Sequence, residues 1–236
     1  MGDRQVPYSA GVTAHLRRGV LNQGWRSAAL DVALIPAMLG TNLIYELLNH
    51  GPGRIFLRTP LDDALPVVPA FAGPYVSLIP FIGVSLLFML FRRARVYRSA
   101  ALSMIVVWFI SYAFYVFLQS FVSRPHVGGS DVFSSLVRWL YSADQPYNDF
   151  PSLHTSLSTI IAIHWWHIDR RIGVPAAIWT ALIVASTVLI KQHYLADVLA
   201  GLVLAAAGSM VTLRWTQVAA SQNGCVRSLP AAGVDN

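Results

Sequence analysis

The sequence predicts an all-α integral membrane protein, a bundle of six transmembrane helices with both termini in the cytoplasm. Three observations lead there. Only 12% of the 236 residues are charged and 55% are hydrophobic, with a mean hydropathy of +0.53, whereas soluble domains carry charge on about a quarter of their residues. The apolar residues gather into six runs, each near the ~20 residues that cross a bilayer core. The basic residues sit in short patches at the ends of those runs, divided unevenly between two sides. That placing suits insertion orientation, so the net charge of +6 is not read as a nucleic-acid surface and no nucleic-acid partner is expected.

Residues 1–27 form a polar lead with Arg4, Arg17, Arg18 and Arg26, in which Val12, Leu16 and Val20 recur at the spacing of an interfacial helix. No cleavable signal peptide is expected; the first span, 28–48, acts as its own insertion signal and holds Pro36, which packed neighbours tolerate. Residues 50–69, rich in Gly, Pro and Asp, form an outer loop. The second span, 70–91, runs into Arg92, Arg93, Arg95 and Arg98, and the third, 99–122, stops before Arg124-Pro125. In the loop 123–150, the stretch 131–141 places Val132, Phe133, Leu136, Val137 and Leu140 on one face of a surface-lying helix. The fourth span, 151–168, turns at Asp169-Arg170-Arg171 into the fifth, 173–190, and the sixth, 194–213, follows. The membrane domain is therefore 28–213, between a cytoplasmic N-terminal tail and a disordered cytoplasmic tail, 214–236, whose lone Cys225 rules out an internal disulfide.

Of the 17 Lys and Arg residues, twelve lie in the two tails and the 92–98 and 169–171 turns; Arg54, Arg58, Arg124, Arg138 and Lys191 face the other way. The excess puts both termini in the cytoplasm and predicts a plasma (inner) membrane protein whose remaining loops are extracytoplasmic.

Three stretches meet at that outer face. At 148–154, Asn-Asp-Phe-Pro-Ser-Leu-His turns a polar loop into an apolar helix. Pro151 reads as a first-turn proline, which would leave the N–H groups of Ser152, Leu153 and His154 free for an anion. Arg124-Pro125 lies beyond the third span, and Lys191, His193 and Asp197 straddle the last junction. His193 and Asp197, four apart, would share a helical face. These groups suit phosphoryl transfer through a phosphohistidine. His193 is the nucleophile oriented by Asp197, and His154 is the acid for the leaving oxygen. Arg124, Lys191, Ser152 and the helix N-terminus would hold the phosphoryl oxygens. Asn148 and Asp149, with Asp144 and Tyr147, are candidates for headgroup or acceptor contact, though a hydrogen-bonded loop explains them equally well. No cofactor is required, and His-x-x-x-Asp with a distant His is a thin basis for zinc. His164 and His167, flanking Trp165-Trp166, read as an interfacial belt, and Gly201 and Gly208 as close-packing positions.

Arg124-Pro125, Pro-Ser-Leu-His at 151–154, and Ser186 followed by His193 and Asp197 together resemble the three-part signature of the type 2 phosphatidic acid phosphatase (PAP2) superfamily, over roughly residues 116–201. The resemblance implies a PAP2/haloperoxidase-like helical core and metal-independent phosphatase or phosphotransferase chemistry. It gives His154, His193 and Asp197 the roles of acid, nucleophile and orienting group. Residues 148–154 with Lys-Gln-His-Tyr-Leu-Ala-Asp-Val are similar to the branch containing inositol phosphorylceramide synthase and, more distantly, sphingomyelin synthase. That branch implies a lipid phosphate or phospholipid substrate and a lipid or polyol acceptor. Two family cations are absent, with Phe117 and Thr187 in their places, and Lys191 is expected to replace one. The alternative is a non-catalytic transporter or scaffold whose intramembrane charges line a pathway; apolar midplane segments count against it.

Overall fold

The computed structural model describes residues 25–227, so the expected interfacial helix around Val12–Val20 lies outside the described residues. Among the described residues the chain is helical and forms no strand. Helix α1 is Trp25–Leu48, with Pro36 inside it. A short helix α2, Pro60–Ala64, interrupts the first outer loop. The second span is built from three pieces punctuated by prolines: a 3-10 turn at Pro69–Phe71, α3 at Ala72–Val76 and α4 at Leu78–Arg92. Only Arg93 separates α4 from α5, Ala94–Phe117. Then come α6 (Val132–Ala143), α7 (Leu153–Ile168), α8 (Arg170–Leu189) and α9 (Leu195–Arg227). The last helix runs past residue 213, so the part of the expected disordered tail that is described is helical.

Among the described residues, five segments are long and apolar enough to cross a membrane: Ala29–Leu48, Pro69–Arg92, Ala94–Phe117, Arg170–Leu189 and Leu195–Thr216. Helix α7 has 16 residues, about 24 Å, short of the ~30 Å hydrocarbon core. It is the hub of the bundle, packed against α4, α5, α8 and α9. Enclosed by protein, it can carry hydroxyls that a lipid-facing helix would not. Ser156 Oγ donates to Ser152 O (2.9 Å) and to Gly201 O (3.1 Å), and Thr180 Oγ1 of α8 donates to Ser158 O (3.0 Å).

Two polar knots tie one end of the bundle. Arg98 of α5 makes a two-point ion pair with buried Asp31 of α1, and Tyr97 Oη donates to Asp31 O at 3.0 Å. His164, expected in an interfacial belt, is instead fully buried: Nδ1 lies 2.7 Å from Ile160 O and Nε2 lies 2.9 Å from Ser99 Oγ, which also meets Thr212 Oγ1 at 3.0 Å. The expectation fails because the helix face decides burial, and His164 points at α5 and α9 while His167, one turn on, is exposed.

At the other end the loops are joined by isolated bridges, Ile55 to Ser120 and Phe121 to Tyr147. Asp131 caps α6, accepting from the N–H groups of Phe133 and Ser134, both at 3.0 Å. The apolar stripe of α6 splits: Val137 and Leu140 pack inward, while Val132 and Phe133 are exposed.

Candidate active site

Residues 119–122 form the bed on which the site is laid. Asn148 N–H donates to Ser120 O (3.1 Å), and Ser120 Oγ accepts from the N–H groups of Asp149 (3.1 Å) and Phe150 (2.7 Å). Gln119 Nε2 donates to Asn148 Oδ1 at 2.8 Å. Asn148 has φ +61°, a left-handed turn that Asn accepts better than most residues. Beyond this anchored turn, a cis peptide joins Phe150 to Pro151, and Ser152 is the N-cap of α7. Pro151 therefore precedes the cap and is not the first helical residue. Its carbonyl is held by Tyr115 Oη at 3.0 Å.

The cap uses groups that the sequence assigns to an anion. Ser152 is fully buried, its Oγ accepts from Thr155 N–H (3.3 Å), and its own N–H donates to Asp197 O (3.1 Å). Leu153 and His154 N–H remain without an acceptor among the described residues, so the N-terminus of α7 keeps two of its three expected donors.

The opposing wall is the turn between α8 and α9. Thr187 O accepts from the N–H groups of Gln192 (2.9 Å) and His193 (3.0 Å). His193 lies in this turn, ahead of α9, so the pair with Asp197 does not arise from a shared helical face. Asp197 sits in the first turn of α9 and reaches back. Its Oδ2 accepts from Tyr194 N–H at 2.8 Å and lies 3.6 Å from His193 Nδ1, the geometry of an N3 carboxylate returning to its cap.

The two imidazoles face each other across a cavity of about 110 Å³, with ring centroids 6.0 Å apart. Its lining combines polar side chains, Asn148, Asp149, Asp144, Gln192, Tyr45, Tyr75 and Tyr115, with apolar ones, Leu78, Ile79, Trp108, Leu153 and Leu157. Tyr75 stacks on His154 at 4.1 Å and 18°. Tyr75 lies in no motif, and Gln192, though inside the Lys-Gln-His-Tyr-Leu-Ala-Asp-Val stretch, is assigned no role by the sequence; proximity in the fold reveals both. Asp144 Oδ1 is satisfied by Tyr45 Oη (3.1 Å) and Asn49 Nδ2 (2.7 Å). Burial pushes the Asp149 carboxyl well above the usual carboxylate range, reinforced by the charge of Asp197. Burial also raises Asp144, with Arg124 opposing.

Neither expected phosphate-binding cation lines the cavity. Arg124 Nη1 donates to Asp144 O (2.6 Å) and Tyr141 O (3.3 Å), and Nη2 to Gln192 Oε1 and Gln145 O (3.4 Å); only Nε is left without a partner. It braces the loop and the residue beside His193. Lys191 turns away, its Nζ donating to Asp62 O (2.6 Å) and Leu65 O (2.8 Å). Asp62 Oδ1 in turn accepts from Leu195 N–H at 2.8 Å. Lys191 and Asp62 thus latch the first outer loop to the turn that carries His193. Lys191→Ala should lower kcat and Tm while KM for a lipid phosphate stays within about threefold. A KM rise of about tenfold with an unchanged Tm would put the ammonium on the phosphate.

Gly201 is a packing residue as expected: a Cβ there would meet Ser152 O at 2.7 Å, so α9 can approach the capped end of α7 only with glycine. At Gly208 the nearest atom is at an ordinary 3.5 Å. Among the described residues no group of three His, Cys, Asp or Glu side chains could hold a metal.

A family model described as the PAP2 superfamily matches residues 56–211. The chain belongs to the PAP2 superfamily. No curated protein and no solved structure matches it. The superfamily comprises phosphatases and phosphotransferases acting on phosphate esters. The matched region of this PAP2 protein contains every residue lining the cavity except Tyr45, which α1 contributes.

Proposed function

We propose that this PAP2 protein is an integral membrane enzyme that removes or transfers the phosphoryl-bearing group of a lipid phosphate through a phosphohistidine on His193. The observation that carries the reading is the cavity, lined by two imidazoles and other polar side chains together with apolar side chains of α4, α5 and α7. A phosphorylated headgroup suits the first and an acyl or isoprenyl chain the second. Ile79 is largely exposed on the outer surface of α4, so the apolar wall continues toward the bilayer.

In the first half-reaction, Nε2 of His193 attacks phosphorus while Asp197 beside Nδ1 orients the ring and balances its growing positive charge. The free N–H groups of Leu153 and His154, at the positive end of α7, hold the phosphoryl oxygens. His154, kept in place by Tyr75, protonates the departing oxygen. Hydrolysis and transfer of a phospho-headgroup share this half-reaction and differ only in what resolves the phosphohistidine.

The proposal includes six crossings, with α7 as the enclosed sixth, termini in the cytoplasm and the site at the outer face of the plasma membrane. The polar knots support this alternation: Asp31 and Arg98 join the starts of α1 and α5, and His164 and Thr212 approach Ser99 from the far ends of α7 and α9. Asp31 is met by Arg98, so that buried charge is paired within the protein. In a Cys225→Ser background, Ser142→Cys and Arg170→Cys should label from opposite sides of sealed vesicles, Ser142→Cys from outside. Labelling of both from one side would remove the outer-face site. Phosphate release or transfer from lipid phosphates in mixed micelles should persist in EDTA; loss restored by zinc or magnesium would show that ligands have been taken for a nucleophile and its acid.

A further inference from the structure

The cavity wall carries polar atoms that the fold leaves without partners. Asp149 is 4% exposed and its Oδ2 has no hydrogen-bond partner; Asn148 is 2% exposed and its Nδ2 has none. Both side chains line the cavity shared by His154 and His193. Leaving such an atom buried and unpaired carries the full desolvation penalty of that group. The segment is not loose, since its backbone and Asn148 Oδ1 are bonded to Gln119 and Ser120. Asp144, on the same wall, shows the contrast: its Oδ1 is satisfied within the protein by Tyr45 and Asn49. Two successive residues that line the reaction space thus hold an unpaired carboxyl oxygen and an unpaired amide nitrogen. The small group that needs both a donor and an acceptor is a hydroxyl.

We infer that Asn148 and Asp149 hold the hydroxyl that resolves the phosphohistidine, and so form the acceptor site of the second half-reaction. The inference rests on the phosphohistidine reading. The acceptor oxygen attacks phosphorus, and the bond from phosphorus to Nε2 of His193 breaks, returning its electron pair to the imidazole. The new O–P bond forms as the hydroxyl proton passes to His154, which became a base by giving its own proton to the leaving group. Asn148 Nδ2 donates to the incoming oxygen and the Asp149 carboxyl receives or returns a hydrogen bond without net loss of a proton. Burial, which raises the Asp149 carboxyl above the usual carboxylate range, favours the form that can donate as well as accept. The hydroxyl comes from water or from an alcohol, and the chemistry at this wall is the same for both.

Rapid-quench turnover of a radiolabelled lipid phosphate by the full chain in mixed micelles separates the two halves. Asp149→Asn and Asn148→Asp keep side-chain shape and the turn at residue 148. In each, first-turnover release of dephosphorylated lipid should stay within about threefold of wild type, steady-state turnover should fall about tenfold or more, and labelled phosphoenzyme should accumulate. With glycerol added to the wild type, label in a phosphate ester identifies an alcohol as acceptor and label only in inorganic phosphate identifies water; either supports a hydroxyl site. Parallel loss of both phases in both variants, or no change in either, overturns the inference while a trapped wild-type intermediate leaves the phosphohistidine reading standing. A wild type that never forms phosphoenzyme overturns both.

Discussion

His193→Ala should abolish turnover of every phosphate ester, while His154→Ala should spare those whose leaving group needs no proton. The two rings face one cavity, but only His193 has a carboxylate beside Nδ1 to leave Nε2 as a nucleophile; His154 instead stacks on Tyr75 at the end of α7. Loss of a general acid slows a reaction about 10²–10⁴-fold when the leaving group is a poor one. His154→Ala should show that loss on a lipid phosphate departing as an alkoxide. On p-nitrophenyl phosphate, whose leaving group is acidic, the same variant should remain within about tenfold of wild type. His193→Ala has no intermediate to form and should be inactive on both. The opposite pattern would exchange the roles, and activity in both variants on both substrates would leave neither ring in the chemistry.

Asp197→Asn should lower kcat by about 10²–10⁴-fold with KM little changed, as loss of the carboxylate that orients a catalytic imidazole does elsewhere. Asp197 is fully buried, and its Oδ2 accepts from Tyr194 N–H at 2.8 Å and lies 3.6 Å from His193 Nδ1. The amide oxygen of Asn can still accept from Tyr194, so the start of α9 survives the substitution. What disappears is the negative charge facing an imidazole that becomes cationic as phosphorus bonds to it. A fall in kcat of less than about tenfold, with Tm unchanged, would reduce Asp197 to a helix cap.

Much of this architecture is legible in the chain because lipid imposes a simple rule on lipid-facing helices. The runs that became α1, α4, α5, α8 and the first part of α9 are apolar for that reason. Helix α7 obeys a different rule: protein surrounds it, so Ser156, Ser158 and His164 are admitted and its length is set by packing. The same enclosure turns His164 from a belt residue into a buried one. At the site, residue chemistry and order singled out His154, His193, Asn148 and Asp149, which the fold brings to one cavity, and Asp197, which it sets beside His193. Where the cations end could not be read, because charge alone does not say where a long side chain ends. Arg124 is consumed by loop carbonyls and Lys191 by those of Asp62 and Leu65. Tyr75 reaches His154 from a helix far away in sequence, and its role depends on a stacking distance that no spacing encodes. The Pro151 reading failed locally, since a proline before Ser152 fits either the first turn or the residue ahead of the cap, and the Ser152 hydroxyl chose the latter.

The central claim is the covalent intermediate, and trapping it is the most direct measurement. Full-length protein quenched during turnover of a phosphorus-labelled lipid phosphate should carry label that is stable in alkali, lost in acid, and confined to a peptide containing His193. The label should vanish in His193→Ala and persist in the slow second step of Asp149→Asn. Label that is absent from an actively turning-over wild type, or that resides on a serine or a carboxylate, would contradict the account.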